Sequence, residues 1–328
     1  MRLVLLHTGG TLVMSRDERG HLAPDLYALD LARELPVLSK IAEIETRIVK
    51  NVDSSDLQPD DWRLFAREVH TALSDPHCDG VVMIHGTDTM AYTASALAFL
   101  LGPLPKPVVL TGAQHPLGAI RTDARANLVD AFSVATLPVP EVAITFAGKA
   151  MRGVRATKLD AWALDAFDSP TLAPLVELGL GTTLSPHLRA PQPLAPLDDR
   201  LETSVLVLRV HPGLDADTLR RALDSGTRGL ILEGYGTGNV PRMGRSLVPA
   251  IREATDRGVP VLVVSQCPRG FVELERYGGG AAAREAGAIG GGPMTTEAAL
   301  AKMMVALGRF ETLDDVRAYL EKDIVGER

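Results

Sequence analysis

Four short runs in the first half of the chain, Leu3–His7, Gly80–His85, Val108–Gly112 and Val142–Phe146, are apolar almost throughout and give way to turns bearing glycine or threonine. Continuous rather than alternating hydrophobicity means that both faces of each run are buried, the condition of a parallel strand covered by helices on either side. Helical patterns fit between and beyond them at Trp62–Leu73, Met90–Leu101 and Asp123–Ala135. The middle helix is apolar around nearly its whole surface, so it is expected to be buried. Strands of this kind alternating with helices predict an α/β sheet with helices on both faces.

At 328 residues the chain exceeds what one core usually organises, so two domains of roughly 100–200 residues are expected. From Ser185 the text changes to SPHLRAPQPLAPLDDRLE, rich in proline and without periodicity, unsuited to a helix or a central strand. This divides the chain into residues 1–185, a linker at 186–203, and residues 204–328. The second half repeats the β/α rhythm. Strands are expected at Ser204–Val210, Gly229–Leu232 and Val259–Ser265, and helices at Asp217–Ser225, Leu247–Arg257, Thr295–Leu307 and Leu313–Lys322.

Composition narrows the function. A formal net charge of -7 and the lack of any lysine or arginine block argue against a binder of nucleic acid or anionic membrane. No apolar stretch approaches the roughly 18 residues of a membrane span, and the opening run Leu3–Leu6 is shorter than the roughly 7–15 residues of a secretory signal core. Cys78 and Cys267 lie far apart without metal-ligand spacing, which fits two free thiols in a cytoplasmic protein.

In open parallel sheets ligands bind beyond the carboxyl ends of the strands, and the polar clusters fall there. They are Thr8-Gly9-Gly10-Thr11, Asp53-Ser54-Ser55-Asp56 after RIVKN, Gly86-Thr87-Asp88-Thr89, and Lys158 in the polar loop MRGVRATK. Each has a plain structural alternative. The first can be a βα turn, the second a cap for the helix containing DDWRLFA, and Thr87 or Asp88 a cap for the helix that follows. A lone lysine is ordinarily solvated. The first turn does not continue as G-x-G-x-x-G, and neither a phosphate-binding G-x-x-x-x-G-K-[ST] nor a nucleophile elbow G-x-S-x-G is present. Together, hydroxyls, carboxylates and one amine from four separate βα ends are the parts of an acyl-transfer site. A hydroxyl needs a partner to take its proton, and glycine turns can offer backbone N–H groups to a developing oxyanion.

TGGT near the start, DSSD, HGTDT leading into MAYTASALAFL, and RATK downstream are similar to signatures of the bacterial-type L-asparaginases, closest to the cytoplasmic type I branch. The resemblance runs nearly end to end, through DAFDSP, GYGTGN, SQC and GGPMTTEAALAKM. It implies a two-domain α/β fold with a larger N-terminal, mainly parallel sheet flanked by helices and a smaller C-terminal parallel α/β domain. It further implies hydrolysis of L-asparagine to L-aspartate and ammonia through a threonine acyl-enzyme, without metal or organic cofactor. Carried over residue by residue, Thr11 is the nucleophile, and Thr87 is the second essential threonine, linked to Lys158 and Asp88. Ser54 and Ser55, with Asp53, fall where the family contacts the substrate α-carboxylate and neighbouring groups, and Asp88 where it holds the α-ammonium. Gly10 and Gly86 join the substrate-binding set. Asn239 resembles a residue that reaches the site from the C-terminal domain or a neighbouring subunit.

The chain departs from the family pattern in places. The type I position of the lid tyrosine falls on His21, an imidazole able to transfer protons near neutral pH, and Tyr27 is the nearest tyrosine. Glu233 stands where some type I enzymes use a basic residue to bind a second asparagine, and its carboxylate would repel an α-carboxylate. The expected partners are L-asparagine, or L-glutamine in its place, and further copies of the chain in a homodimer or dimer of dimers. One methylene changes discrimination by only about 10–200-fold. Two alternatives stand beside the asparaginase: a glutaminase-asparaginase of mixed specificity, and a non-catalytic amino-acid sensor on the same fold.

Overall fold

The four apolar runs of the first half become neighbouring strands. The computed structural model describes residues 1–16, 22–24 and 36–328, and the chain divides into two units, Met1–Asp199 and Arg200–Arg328. The strands of the first unit are β1 (Arg2–Gly9), β2 (Met14–Arg16), β3 (Leu22–Pro24), β4 (Glu43–Val52), β5 (Gly80–Ile84), β6 (Val108–Thr111), β7 (Val142–Phe146), β8 (Lys149–Arg152), β9 (Thr157–Lys158), β10 (Phe167–Asp168), β11 (Val176–Leu178) and β12 (Thr182–Leu184). The main sheet has the order β12-β11-β8-β7-β6-β5-β1-β4. β4, β1, β5, β6 and β7 are mutually parallel, and β8, β11 and β12 extend the sheet with antiparallel pairing.

The antiparallel extension was not expected from the sequence. It begins at Ala147-Gly148, where both residues have positive φ, 49° and 78°. A two-residue loop of that kind matches the twist of adjoining strands and reverses the chain into a hairpin. The outer strand β4 was also missed. Polar residues interrupt its text, EIETRIVKNV, because it is an edge strand whose side chains are mostly half-buried or exposed.

Among the described residues, the helices α1 (Pro59–Ser74), α2 (Met90–Leu101) and α3 (Ala124–Ala135) flank this sheet. Leu3, Leu5, Val82, Ile84, Val109 and Ala143 share one core with Leu128, Ala131 and Phe132 of α3. The alternate positions Val4, Leu6, Val81, Met83 and Leu110 are buried as well, so the strands are covered on both faces. Every residue of α2 except Tyr92 is buried, as its apolar text predicts. The proline-rich segment after Leu184 has no regular element but is tied to the first unit. Gln192 N–H donates to Leu104 O at 2.9 Å, Arg189 N–H donates to the Glu141 carboxylate at 2.9 Å, and Arg67 pairs with Asp199.

The second unit contains β13 (Val205–Arg209), β14 (Gly229–Gly234), β15 (Val261–Ser265) and β16 (Ile289–Gly290), paired in that order and all parallel. Its helices are α4 (Ala216–Asp224), α5 (Val248–Asp256), α6 (Gly278–Glu285), α7 (Thr296–Arg309) and α8 (Leu313–Glu321). The sequence GGGAAARE of α6 does not read as a helix because glycine has low helix propensity. Tertiary packing overrides it: a Cβ on Gly280 would lie 2.4 Å from Leu274 O, an approach only glycine allows.

Lys302 of α7 and Glu327 form an ion pair with both side chains fully buried. The ammonium also donates to Leu320 O at 3.0 Å and to Lys322 O, and the carboxylate accepts from the N–H groups of Ile324 and Val325. The pair therefore pins residues 320–327 against α7. Glu327→Ala leaves the ammonium buried without its counter-charge, which typically costs about 3–5 kcal/mol. Urea unfolding should show a correspondingly less stable second unit; an unchanged midpoint would contradict this account of the tail.

Candidate active site

Glycines bring the strand ends into backbone contact. Gly9 and Gly10 have φ of +113° and +94°, a conformation open to glycine at little cost. A Cβ on Gly10 would stand 2.4 Å from Gly86 N, and one on Gly86 would stand 2.6 Å from Ser54 Oγ. A Cβ on Gly9 would meet Val52 O at 2.1 Å, where the β1–β4 register shifts between His7 and Gly9. The end of β1 thus meets the ends of β4 and β5 backbone to backbone, and Gly86 makes room for the Ser54 side chain. Thr11 and Thr87 each follow directly on one partner of the Gly10–Gly86 contact. Thr11 opens a 3-10 turn, Thr11–Val13, and is half-buried, whereas Thr87 is buried.

Lys158 reaches this point by a route the sequence did not suggest. Instead of following a parallel strand, it lies on the short antiparallel pair β9–β10. After β8 the chain turns through 153–155 against α2, where Ser95 Oγ donates to Gly153 O at 3.4 Å, and then returns to the N-terminal end of that helix. There Lys158 Nζ donates to Thr87 Oγ1 at 2.9 Å and to Asp88 Oδ1 at 2.6 Å. The lysine side chain is 18% exposed and the aspartate 65%. The ammonium is sheltered while the carboxylate remains open to solvent and to a ligand.

Helix capping does not account for the side chains of Thr87 and Asp88. The N-cap of α2 is Thr89, without a side-chain cap, so neither Thr87 nor Asp88 caps it. Thr89 Oγ1 instead donates to Ser54 O at 2.8 Å, tying two strand ends together. Helix α1 carries its own cap, Gln58 N–H donating to the Asp61 carboxylate at 2.9 Å. Asp53 caps only the 3-10 turn Ser54–Asp56, accepting from Ser55 N–H and Ser55 Oγ, each at 2.9 Å. Thr8 is bound structurally, its hydroxyl donating to Ile84 O at 2.8 Å.

Asn239 belongs to the second unit, where its Oδ1 accepts from Gly280 N–H at 3.2 Å. Glu233, at the end of β14, faces Arg209 at 3.6 Å and accepts from Thr296 Oγ1 at 2.7 Å. His21 and Tyr27 lie outside the described residues. Among the described residues, no three His, Cys, Asp or Glu side chains are grouped as a metal site. The sequence reading missed Gln114, whose Oε1 accepts from Thr87 Oγ1 at 3.2 Å. AQHP follows β6 with no signature to single it out, and only the folded contact reveals it.

Beneath the site lie two buried histidines. His85 Nδ1 is 2.7 Å from Gly86 O. A carbonyl only accepts, so Nδ1 carries the proton. Burial lowers the pKa of His85 from 6.5 to about 4, and that of His7 is lowered by the same cause.

The chain as a whole is similar to known proteins. The N-terminal asparaginase family model matches residues 2–189, and the glutaminase/asparaginase C-terminal domain model matches residues 204–320. An L-asparaginase of Thermococcus kodakarensis is 39% identical over 331 residues, covering 100% of this chain and 99% of its own. L-asparaginase 1 of Escherichia coli K12 is 36% identical over 337 residues, covering 99% and 97%. The solved thermostable L-asparaginase from Thermococcus kodakarensis superposes with a TM-score of 0.90 at 38% identity, over 100% of this chain and 99% of that one. A two-domain amidohydrolase with mainly parallel sheets in both domains is thereby defined. The chain belongs to the asparaginase family.

The histidines give a pH signature. Between pH 6.5 and 4 unfolded His85 binds a proton that folded His85 does not, so stability falls as pH drops through this window. The contribution lost is about 3 kcal/mol. His85→Gln should show a shallower dependence of unfolding free energy on pH across that range; an unchanged slope would mean that His85 is not held neutral.

Proposed function

We propose that this chain hydrolyses the side-chain amide of L-asparagine, giving L-aspartate and ammonia through an ester on Thr11. The observation that carries the reading is the junction of Lys158 with Thr87 and Asp88 beside the Gly10–Gly86 contact. It is supported by relatives that match along nearly their whole length and are named for this reaction.

In this reading Thr11 Oγ adds to the amide carbon, and backbone N–H groups of the glycine turns stabilise the oxyanion. The C–N bond breaks, and nitrogen leaves as ammonia with the proton released by the threonine. Water then adds to the ester carbon while donating a hydrogen bond to Thr87 Oγ1, to which Lys158 also donates, and its other proton passes to the departing Thr11 oxygen. The ester bond breaks, Thr11 regains its proton, and aspartate departs. Asp88 holds the substrate ammonium, aided by its exposure, while Ser54 and Ser55 with Asp53 take the α-carboxylate and neighbouring groups. Gly10 and Gly86 leave room for the ligand, and Asn239 contributes from the second unit or a neighbouring copy.

The catalytic groups are assigned to an N-terminal domain at 1–185, joined through 186–203 to a C-terminal domain at 204–328. His21 assists proton transfer. The working form is a homodimer or dimer of dimers in the cytoplasm, a compartment consistent with free Cys78 and Cys267. The Glu233 carboxylate, set against Arg209, disfavours activation by a second asparagine.

Initial rates of ammonia release on L-asparagine, D-asparagine and L-glutamine test the proposal, with L-asparagine expected to be fastest. Comparable rates on L-glutamine would replace it with the mixed glutaminase-asparaginase, and silence on all three would favour the amino-acid sensor. Thr11→Ala is expected to fold and to lose more than roughly 10³-fold in turnover; substantial residual turnover would remove Thr11 as the nucleophile.

A further inference from the structure

Thr87 has one hydroxyl proton and two lone pairs, and two neighbours compete to orient them. Lys158 Nζ donates to Thr87 Oγ1 at 2.9 Å. A lysine ammonium is donor-only, so the threonine proton must turn elsewhere, and it is directed to Gln114 Oε1 at 3.2 Å. The amide orientation of Gln114 is determined by its other end. Nε2 lies 3.2 Å from Ala163 O; because a carbonyl can only accept, nitrogen must face Ala163 and oxygen must face Thr87.

Gln114 is also anchored through its backbone. Its N–H donates to Asp123 Oδ2 at 2.9 Å, and the next N–H, of His115, donates to Asp123 Oδ1 at the same distance. Asn127 Nδ2 braces that carboxylate at 3.1 Å. Ala163 lies five residues beyond Lys158, in a turn held by Asp160 Oδ1, which accepts from the N–H groups of Trp162 and Ala163. One side chain therefore links the segment after β6, the segment carrying the lysine, and the threonine between them. Gln114 also lines a cavity of about 630 Å³ with His115, Arg121, Trp162 and Leu164.

We infer that Gln114 is a positioning residue: its side-chain oxygen orients the Thr87 hydroxyl so that a lone pair faces Lys158. The inference rests on the amide-hydrolysis reading and extends it beyond the Thr87–Lys158–Asp88 group. Gln114 acts through Thr87, so its removal should alter turnover more than substrate affinity.

Gln114→Met retains side-chain length and removes the acceptor. Steady-state ammonia release should show kcat lowered by about 10- to 100-fold, with KM within about twofold and the thermal midpoint close to the parent's. Gln114→Glu keeps an oxygen for Thr87 but loses the donor to Ala163, and it should recover most of kcat. A role confined to bracing the Ala163 loop predicts the reverse, with glutamate no better than methionine. In a Thr87→Ser background the hydroxyl lacks the β-branch that restrains its rotamer, so Gln114→Met should cost a larger factor there than in the parent. Equal factors in the two backgrounds, or a loss in KM alone, would overturn the inference. If Gln114→Met fails to fold, the glutamate variant still decides: low kcat at parental stability overturns the inference. An inactive parent would defeat the amide-hydrolysis reading instead, which separates the two failures.

Discussion

The site depends on an approach between two backbones that no side chain could permit. Gly10 lies so close to Gly86 that a single methyl group would fall 2.4 Å from the neighbouring amide nitrogen. Gly9 approaches the Val52 backbone in the same way, and Gly86 leaves room for the Ser54 side chain, so three strand ends converge and the candidate side chains project beside them. Thr89 Oγ1 reinforces the convergence by donating to Ser54 O. The parallel sheet makes this possible, since adjacent parallel strands end on the same edge and present their turns together. Rigidity comes from the covered strands, and close approach comes from glycine.

Charge is distributed in keeping with that arrangement. Lys158 is sheltered and donates to two groups, whereas Asp88 is mostly exposed and able to meet an incoming cation. Elsewhere, two buried ion pairs have a structural task. Arg152 and Glu141 are buried together, and Arg152 donates to His187 O at 2.7 Å, holding the proline-rich segment to the first unit. Lys302 and Glu327 perform the equivalent service for the last residues of the second. Asp88 differs from these two pairs in keeping its carboxylate open to solvent.

Much of this was legible in the sequence because the central strands are buried on both faces and therefore read as unbroken apolar text. The parallel core and the buried helix Met90–Leu101 followed from that signal. Elements governed by tertiary context left no such trace. Glu43–Val52 is half-solvated at an edge, and the antiparallel extension depends on two positive-φ residues, Ala147 and Gly148. Helix Gly278–Glu285 forms despite its three glycines, two of which, Gly279 and Gly280, closely approach neighbouring backbone. At the site, motif spacing singled out Thr87, Asp88 and Lys158, and the fold joins them through hydrogen bonds of 2.6 and 2.9 Å. Gln114 carried no motif, since its importance arises from two hydrogen bonds to residues distant in sequence. The lysine's arrival from an antiparallel pair, rather than from a parallel strand end, was equally hidden.

The central claim is that the hydroxyl following the Gly10–Gly86 contact attacks the amide. Rapid acid quenching during turnover of L-asparagine, followed by peptide mass spectrometry, addresses it directly. The account predicts an aspartyl ester on Thr11 that disappears as substrate is consumed. An ester on Thr87 or another hydroxyl, with Thr11 unmodified throughout turnover, would contradict it.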